Sequence, residues 1–304
     1  MTTGPVRIAT RKSPLALWQA KWVAGELAAQ GYECELVPLT SNGDSDLRPI
    51  TSSTEIGLFT KRIQQAVIDG EADIAVHSLK DLPTAEFEAV HVVAIPVRAD
   101  VHDRLITLPQ WTLGQLPEAA IVGTSSRRRA AQLLHHRPDL RIQPIRGNVQ
   151  TRIDQVKRGD FDATILAAAG LDRLSLPEIG GVDLDLETML PAPGQGALAI
   201  EARRDDAQTA KAAATLDHAP TRAAVTAERS LLRHLSGGCL APIAAYGHYD
   251  SGTIHLSAVV LSTDGTVRLH HADHDTLEHA AELGQRVAET LLLAGADRWI
   301  EAAR

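Results

Sequence analysis

The sequence predicts an α/β protein with two hinged, parallel α/β domains and a small C-terminal α+β domain. Three observations support this architecture. Strands alternate with helices from residue 6 to residue 96, the alternation restarts near residue 119, and from about residue 218 it gives way to a helix, a strand hairpin and a final helix. A length of 304 residues is enough for two or three domains.

The first domain is predicted over residues 1–97 together with residues 193–216. Its apolar runs predict strands at 6–10, 33–39, 72–78 and 90–96. Ser13 is a suitable N-cap and Pro14 a suitable first helical residue, so a helix follows the first strand, and a second helix is predicted over 59–68. The polar stretch 40–57 is too long for an ordinary connection, and we expect it to form a mobile lid or binding loop.

The second domain is predicted over residues 98–192, with strands at 119–123, 141–145 and 163–168 and helices at 126–136 and 149–158. The Gly- and Pro-rich segment 191–203 predicts a hinge and a strand that returns the chain to the first domain. The third domain is predicted over residues 217–304, with helices at 219–235 and 276–293 and hairpin strands at 254–261 and 266–271.

Composition excludes several classes of function. A net charge of −8 argues against a general nucleic-acid-binding protein, which needs a basic surface. No apolar run approaches the ~20 residues that span a bilayer, and the first residues lack a signal-peptide core. We therefore expect a soluble cytoplasmic protein without nucleic-acid or membrane partners. Because no Cys/His spacing typical of a zinc site occurs, we predict no metal site, and we interpret His135-His136 and His270-His271 as surface pairs.

Several arginines lie near the ends of predicted strands in this acidic protein. They are Arg11, Arg128, Arg129, Arg146, Arg152 and Arg173. The carboxyl ends of parallel strands line the ligand crevice of such folds, and helix N-termini there add anion-binding N–H groups. The set predicts a polyanionic ligand, although any one of these arginines alone is as well explained by a surface position or an ion pair. Without a Walker A motif, we favour carboxylates over a nucleotide.

Two further stretches carry candidate chemistry. In HSLKDLPT, residues 77–84, Lys80 and Asp81 follow an apolar strand. A carboxylate among cations stays ionised and can stabilise a positive charge or move a proton, but a surface Lys–Asp pair explains the stretch equally well. Cys239 follows two glycines on a loop and is either a nucleophile or attachment point, or a small buried side chain, whereas Cys34 in a strand fits the buried alternative.

The sequence resembles the hydroxymethylbilane synthase family, whose members are also called porphobilinogen deaminases. The pieces that carry the resemblance are, in chain order, RIATRKSPLALWQA, HSLKDLPT, VGTSSRRRAAQL, IRGNVQTR, ILAAAGLDRL, LPAPGQGALAIE and ERSLLRHLSGGCLAPI. Their order and spacing make the resemblance specific. Residues beyond about 245 contribute little to it.

The resemblance implies two domains similar to periplasmic binding proteins, a third domain, and one activity in porphyrin biosynthesis. Four porphobilinogen molecules are joined head to tail with loss of ammonia, and the linear tetrapyrrole is released by hydrolysis. The growing chain is built on a dipyrromethane cofactor that a thioether attaches to Cys239. The resemblance also implies a monomer whose product is used by uroporphyrinogen-III synthase.

The resemblance further implies three groups of site residues. The catalytic group is Asp81, Lys80 and Arg11. The cofactor-binding group is Cys239, Ser78, Lys80, Asp81, Thr124, Ser125, Ser126, Arg128, Arg129, Arg146, Gly147 and Gly196. The substrate-binding group is Arg11, Ser13, Gln19, Phe59, Arg146, Arg152, Ala167, Gly170, Arg173 and Gln195.

The sequence departs from the family pattern at two positions. Ile56 stands where many relatives have a lysine in the lid, so no lysine contact from the lid is expected here. Arg127 occupies a position that is often apolar, and we expect its side chain to face solvent.

Two alternative functions compete with the enzyme. A non-catalytic polycarboxylate-binding module of the two-domain solute-receptor type would also have hinged domains and a cation-lined cleft, but it would need neither a Gly-Gly-Cys loop nor a third domain. A thiol redox protein would use Cys34 and Cys239, which lie in different predicted domains without a CxxC motif.

Overall fold

The computed structural model describes residues 4–40, 60–85, 87–176, 181–235 and 241–303. The chain forms two compact units: the first is Met1–Ala99 with Gly196–Arg222, and the second is Asp100–Gln195 with Ala223–Arg304. The division into three domains with the boundaries given above stays a prediction. Along the described ranges, no helix combines the length and apolar character needed to cross a membrane.

The strands are β1 (Val6–Arg11), β2 (Cys34–Leu39), β3 (Ile74–Ser78), β4 (Val90–Ala94), β5 (Asp103–Ile106), β6 (Ile121–Gly123), β7 (Arg141–Gln143), β8 (Ala163–Ala167), β9 (Gly181–Asp183), β10 (Leu198–Arg203), β11 (Ile243–Asp250), β12 (Thr253–Leu261) and β13 (Arg268–Thr276). The helices are α1 (Pro14–Ala29), α2 (Lys61–Ile68), α3 (Arg127–His136), α4 (Val149–Lys157), α5 (Ala168–Arg173), α6 (Ala207–Ala214), α7 (Ala219–His234), α8 (Ala280–Leu293) and α9 (Ala296–Ala302). Most predicted elements are therefore present, with ends shifted by a few residues.

The first unit is built on a five-stranded sheet in the order β2-β1-β3-β10-β4. Strands β1, β2 and β3 are parallel, and β10 runs antiparallel to both β3 and β4. Ile8 and Ile200 pack with α1 on one face, while Ala9 and Ala75 pack with α2 on the other. The prediction that the chain returns to the first sheet after the Gly- and Pro-rich segment is confirmed by the position of β10.

The second unit contains a sheet of the same design, in the order β7-β6-β8-β5-β9. Strands β6, β7 and β8 are parallel, and β5 runs antiparallel to β8 and β9. Val122 and Leu133 belong to the core on the α3 side, and Ile153 and Leu166 to a core on the α4 side. The predicted parallel sheets are therefore mixed sheets, because an antiparallel strand lies beside each parallel triplet, β10 in the first sheet and β5 in the second.

The helices that follow the parallel strands begin at side-chain caps. Ser13 Oγ accepts a hydrogen bond from the N–H of Ala16, 3.4 Å away, and Ser126 Oγ accepts one from the N–H of Arg129, also at 3.4 Å. Asn148 Oδ1 accepts from the N–H of Thr151 at 2.9 Å. Each cap fixes the first turn of a helix at the carboxyl end of a strand, where ligands of α/β folds bind.

A third, antiparallel sheet in the order β11-β12-β13 lies in the second unit and packs on α7 and α8. The hairpin was predicted, but β13 continues to Thr276, and the last long helix begins at Ala280 rather than at 276. Strand β11 was not predicted. Its glycine, Gly247, lies so close to α7 that an added Cβ would be 2.6 Å from the carbonyl oxygen of Ala224.

The turn between β12 and β13 lies against α3. Gly265 has a φ of 74°, and an added Cβ would lie 2.5 Å from His135 N and 2.6 Å from the carbonyl oxygen of Ala131. The ring Nδ1 of His135 is 2.8 Å from the carbonyl oxygen of Gly265. The third sheet therefore contacts the helix that carries Arg128 and Arg129.

We predict that Gly265→Ala destabilises the protein much more than Gly252→Ala. Both glycines have positive φ values, 74° and 94°, but a Cβ at Gly252 has nothing within 4 Å. The control substitution carries only the left-handed backbone cost of ~1–2 kcal/mol, while Gly265→Ala adds an overlap of ~1–3 kcal/mol. Urea unfolding of both variants measures the difference, and equal losses would contradict the close packing of the turn on α3.

Candidate functional site

An open cleft lies at the carboxyl ends of β1 and β3 in the first unit. Its lining includes Arg11, Ser13, Gln19, Ser78 and Asp81, all of which the sequence assigned to the site. Strand ends carry Arg11 and Ser78, and α1 carries Gln19. The structure therefore brings together a guanidinium, two hydroxyls, an amide and a carboxylate.

Local interactions hold the polar wall of this cleft in place. Gln19 Nε2 donates a hydrogen bond to Ser78 Oγ at 2.8 Å, which joins α1 to the end of β3. The hydroxyl of Thr10 donates to the carbonyl oxygen of Ala16 at 3.0 Å, and Ser13 caps α1. Three of the candidate side chains, Ser13, Gln19 and Ser78, thus have defined orientations before any ligand binds.

The catalytic candidate Asp81 lies on a single 3-10 turn, Leu79–Asp81, directly after β3. The N–H of Leu79 donates to the carbonyl oxygen of Ala197 at 3.0 Å, and the side chains of Leu79 and Leu82 are buried. Lys80 is half-buried and Asp81 is exposed on the same turn. Anchoring by two leucines leaves the Asp81 carboxylate at the cleft with access to ligand and water.

Two further side chains of the cleft, Thr60 and His77, were not predicted. His77 is buried and its Nε2 lies 3.1 Å from Glu201 Oε2, although without the alignment of a hydrogen bond. Gln64 Nε2 donates to both carboxylate oxygens of Glu201, at 3.1 and 3.0 Å. His77 begins the HSLKDLPT stretch, so its position at the strand end was a usable signal.

The second unit holds a buried ionic cluster at the N-terminus of α3. Arg128 Nη2 donates to Asp103 Oδ2 at 2.7 Å, and Arg129 Nη2 donates to Asp103 Oδ1 at 2.7 Å. Gln195 Nε2 also donates to Asp103 Oδ1, at 3.1 Å. Three predicted site residues therefore meet at one carboxylate, on a strand that the sequence analysis did not identify.

Burial makes two arginines of this unit unusual. Desolvation lowers the pKa of Arg128, and the charge of Arg129 lowers it further, against the opposing effect of Asp103. Desolvation also lowers the pKa of Arg173 to about 10. A lowered pKa means that the loss of hydration destabilises the charged form of the arginine by more than the nearby negative charges stabilise it. An additional anion at such a group is therefore favourable.

Thr124, Ser125 and Ser126 shape the loop between β6 and α3. Thr124 Oγ1 accepts from the N–H of Ser126 at 3.2 Å, and Ser126 caps the helix. Ser125 Oγ donates to the carbonyl oxygen of Ile145 at 2.8 Å and accepts from its N–H at 3.2 Å. These hydroxyls connect the loop to the neighbouring strand end. Arg127, which we expected to face solvent, is half-buried.

Arg146, Gly147 and Arg152 form a second cationic turn between β7 and α4. Gly147 has a φ of 107°, and a Cβ there would lie 2.6 Å from the Thr151 side chain. Arg152 Nε donates to the carbonyl oxygen of Gly147 at 2.9 Å, and Gln155 Nε2 donates to that of Arg146, also at 2.9 Å. The glycine is required because the backbone folds back against the first turn of α4.

The remaining site predictions have the following positions. Ala167 ends β8, while Gly170 and Arg173 lie on the short helix α5. Gly196 has a φ of 84°, and its carbonyl oxygen accepts from the N–H of Ala99 at 3.2 Å. Phe59, Cys239 and residues 41–57 of the predicted lid lie outside the described residues. The prediction that all the cations line a single cleft stays a prediction.

The second cysteine, Cys34, begins β2 and packs against the core of the first unit. It is a free thiol, and burial raises its pKa. A raised pKa lowers the reactive thiolate fraction at neutral pH, as expected for a half-buried structural cysteine.

Comparison with known families decides between the candidate functions. The family profile described as "Porphobilinogen deaminase, dipyromethane cofactor binding domain" matches residues 6–211, and "Porphobilinogen deaminase, C-terminal domain" matches residues 222–293. The chain belongs to the porphobilinogen deaminase family. The predicted resemblance is confirmed, and the match extends to residue 293, well beyond the motifs that carry the resemblance.

Individual members of the porphobilinogen deaminase family are similar along nearly the whole chain. The protein of Acidothermus cellulolyticus is 46% identical over 303 residues, which cover 98% of this chain and 91% of the relative. The protein of Syntrophotalea carbinolica is 43% identical over 305 residues, covering 99% and 97% respectively. Among solved structures, the methionine-binding protein MetQ is 11% identical over 69% of this chain and 89% of that chain, with a TM-score of 0.45.

The residues of the second unit fit a polycarboxylate such as the family's dipyrromethane cofactor. The donor set contains guanidinium groups, and burial lowers the pKa of two of them, Arg128 and Arg173. Guanidinium groups bind carboxylates in bidentate geometry. Arg128, Arg129, Arg146 and Arg173 are therefore the cations of this unit that can hold such a group.

We predict that Arg129→Leu destabilises the protein strongly, whereas Arg146→Leu does not. Arg129 is 7% exposed, and its loss removes its hydrogen bonds to Asp103 Oδ1 and to the carbonyl oxygen of Ile165, which leaves these buried acceptors short of donors at a cost of ~3–5 kcal/mol. Arg146 is only half-buried, and we expect less than about 1 kcal/mol from its removal. Chemical denaturation of both variants tests this, and similar stabilities would show that the buried pair does not hold the unit together.

Proposed function

We propose that this chain is a hydroxymethylbilane synthase with Asp81 as its catalytic carboxylate. The reaction is inferred from the match to the porphobilinogen deaminase family over nearly the whole chain. The chain is a transferase that joins four porphobilinogen molecules head to tail, releases one ammonia for each, and frees the linear tetrapyrrole by hydrolysis. The non-catalytic solute-receptor alternative is not favoured.

The cleft of the first unit supports binding of porphobilinogen through its two carboxylates. Arg11 is the cleft's strand-end guanidinium, and Ser13, Gln19 and Ser78 add hydrogen-bonding groups beside it. A substrate held in this way has its aminomethyl carbon and pyrrole nitrogen in a fixed place relative to Asp81. Orientation of this kind contributes directly to the rate.

The role proposed for Asp81 follows from the charge that the reaction creates. When the substrate's carbon–nitrogen bond breaks, ammonia departs with the bonding electrons, and positive charge develops on the pyrrole ring. The carboxylate accepts a hydrogen bond from the ring N–H and stabilises this charge. Lys80, beside it on the same turn, contributes positive charge for the substrate carboxylates.

The proposed cofactor is dipyrromethane, joined through a thioether to Cys239. When bound, it supplies the pyrrole carbon to which the first substrate is joined. The residues proposed to hold it are Ser78, Lys80, Asp81, Thr124, Ser125, Ser126, Arg128, Arg129, Arg146, Gly147 and Gly196. The remaining residues proposed to contact the substrate are Phe59, Arg152, Ala167, Gly170, Arg173 and Gln195.

The cellular setting completes the proposal. We propose that the protein is a cytoplasmic monomer, as its membership of the porphobilinogen deaminase family implies. We propose that uroporphyrinogen-III synthase uses the released tetrapyrrole.

We predict that Asp81→Asn lowers the rate of ammonia release from porphobilinogen by ~10²–10⁴-fold. The neutral amide cannot stabilise positive charge on the ring, while the exposed position of Asp81 keeps the thermal unfolding midpoint close to that of the wild type. Asp205→Asn is the matched control, because its side chain is 87% exposed. A fully active Asp81→Asn variant would exclude Asp81 as the catalytic carboxylate.

We predict that the denatured wild-type protein is heavier than its 32.6 kDa chain by two linked pyrroles, and that Cys239→Ser abolishes this increase. Cys34→Ser is the control and keeps the added mass, because that thiol is half-buried in the core. Intact-mass spectrometry after incubation with porphobilinogen gives the answer. An increase that survives in Cys239→Ser would place the attachment elsewhere.

A further inference from the structure

Asp103 stands out among the buried acids of the second unit, because three predicted site residues donate hydrogen bonds to its carboxylate. Its carboxylate is fully buried, with 0% of the residue exposed. Oδ2 accepts from Arg128, and Oδ1 accepts from Arg129 and Gln195. Asp103 was not among the predicted site residues. The predicted site residues that surround it carry guanidinium and amide groups.

The cluster carries unequal charge. Within the described ranges, Asp103 is the one carboxylate within ion-pair distance of Arg128 and Arg129. Two guanidinium groups and one carboxylate leave one positive charge in excess, inside a region where Arg128 is 5% and Arg129 is 7% exposed. The N-terminus of α3 adds partial positive charge at the same place. An excess of this kind is costly to bury unless another anion is nearby.

Each guanidinium is also held from a second side. Arg128 Nη1 donates to the carbonyl oxygen of Leu190 at 2.6 Å, and Arg129 Nη1 donates to that of Ile165 at 2.9 Å. Hydrogen bonds to Asp103 and to these carbonyl oxygens fix the orientations of both planar guanidinium groups. The remaining N–H groups of a planar fork then point in set directions, as bidentate carboxylate binding requires.

We propose that Asp103 is a positioning residue that holds Arg128 and Arg129 as a rigid, singly positive cluster for a carboxylate of the bound cofactor. The inference rests on the proposed function, because it takes the cofactor's carboxylates as the anion. With a second acid the cluster would be neutral and would not attract an anion. Without Asp103, the two guanidinium groups would repel each other and lose their common orientation.

Asp103→Asn tests the charge of the cluster when inorganic phosphate is used as the probe. The variant is made in the Cys239→Ser background, so that no cofactor is attached. Its thermal unfolding midpoint is measured with increasing phosphate, while sodium chloride keeps the ionic strength constant. We expect phosphate to raise the midpoint of Asp103→Asn at least about twice as much as that of its parent, because the buried excess has doubled.

Asp183→Asn in the same background is the matched control. It removes one negative charge from the same unit, but its side chain is 44% exposed and pairs with Arg104. We expect its response to phosphate to equal that of the parent. Equal responses in Asp103→Asn, Asp183→Asn and the parent would make phosphate an adventitious ion only and would overturn the proposal.

A double variant covers the case in which Asp103→Asn does not fold. Asp103→Asn with Arg129→Gln returns the excess to one positive charge. It neutralises both partners of a buried ion pair together, which costs less than removing one of them, so we expect the double variant to fold and to respond to phosphate like the parent. If the double variant also fails to fold, Asp103 has a structural role only, and the proposal is wrong.

The positioning role itself is read from cofactor loading with Cys239 present. After incubation with porphobilinogen, we expect the fraction of Asp103→Asn chains with added mass to fall to less than about half that of Asp183→Asn, since the anion site has lost its geometry. Equal loading would overturn the positioning role. A wild-type chain that gains no mass would instead contradict the proposed function, and it would leave the phosphate result unaffected.

Discussion

Two buried guanidinium groups that share the buried carboxylate of Asp103 are the interaction on which the second unit depends. The pairing joins β5 to the N-terminus of α3 and, through Gln195, to the segment that precedes β10. It allows arginines to occupy the first turn of a helix, where the helix dipole disfavours cations. Because one acid serves two bases, the same interaction that stabilises the unit also prepares it for an external anion.

The two five-stranded sheets have the same arrangement of strands. Each has three parallel strands, an inserted antiparallel strand and an edge strand. The inserted strands are β5 and β10, which follow the first two of the three points where the chain passes from one unit to the other. Asp103, the first residue of β5, is therefore fixed by the sheet of the second unit.

The first unit provides a different kind of site. Its carboxylate, Asp81, is exposed on a short turn that two buried leucines anchor, while the acid of the second unit is completely enclosed. An exposed carboxylate can contact substrate and stabilise charge that appears during a reaction, whereas an enclosed carboxylate in two ion pairs has a fixed partner set. This difference in environment explains why we assign catalysis to Asp81 and positioning to Asp103.

The sequence by itself determined the alternation of strands and helices, the cap at Ser13, the family, and the cations at strand ends. These features are local: they depend on apolar period, capping chemistry and short motifs. Strand β11 was missed because Gly247 weakens its pattern, although close packing on α7 requires that glycine. Strand β5 was missed because its four residues are too few to show a period.

Only the tertiary structure decided which distant groups meet. Asp103 is 25 residues from Arg128 and 92 residues from Gln195 along the chain, so no local pattern indicates their contact. Their pairing depends on the antiparallel insertion of β5 beside β8, which is set by the packing of the whole sheet. The sequence could therefore predict that this chain binds carboxylates, but the acid that orients its arginines became visible only in the fold.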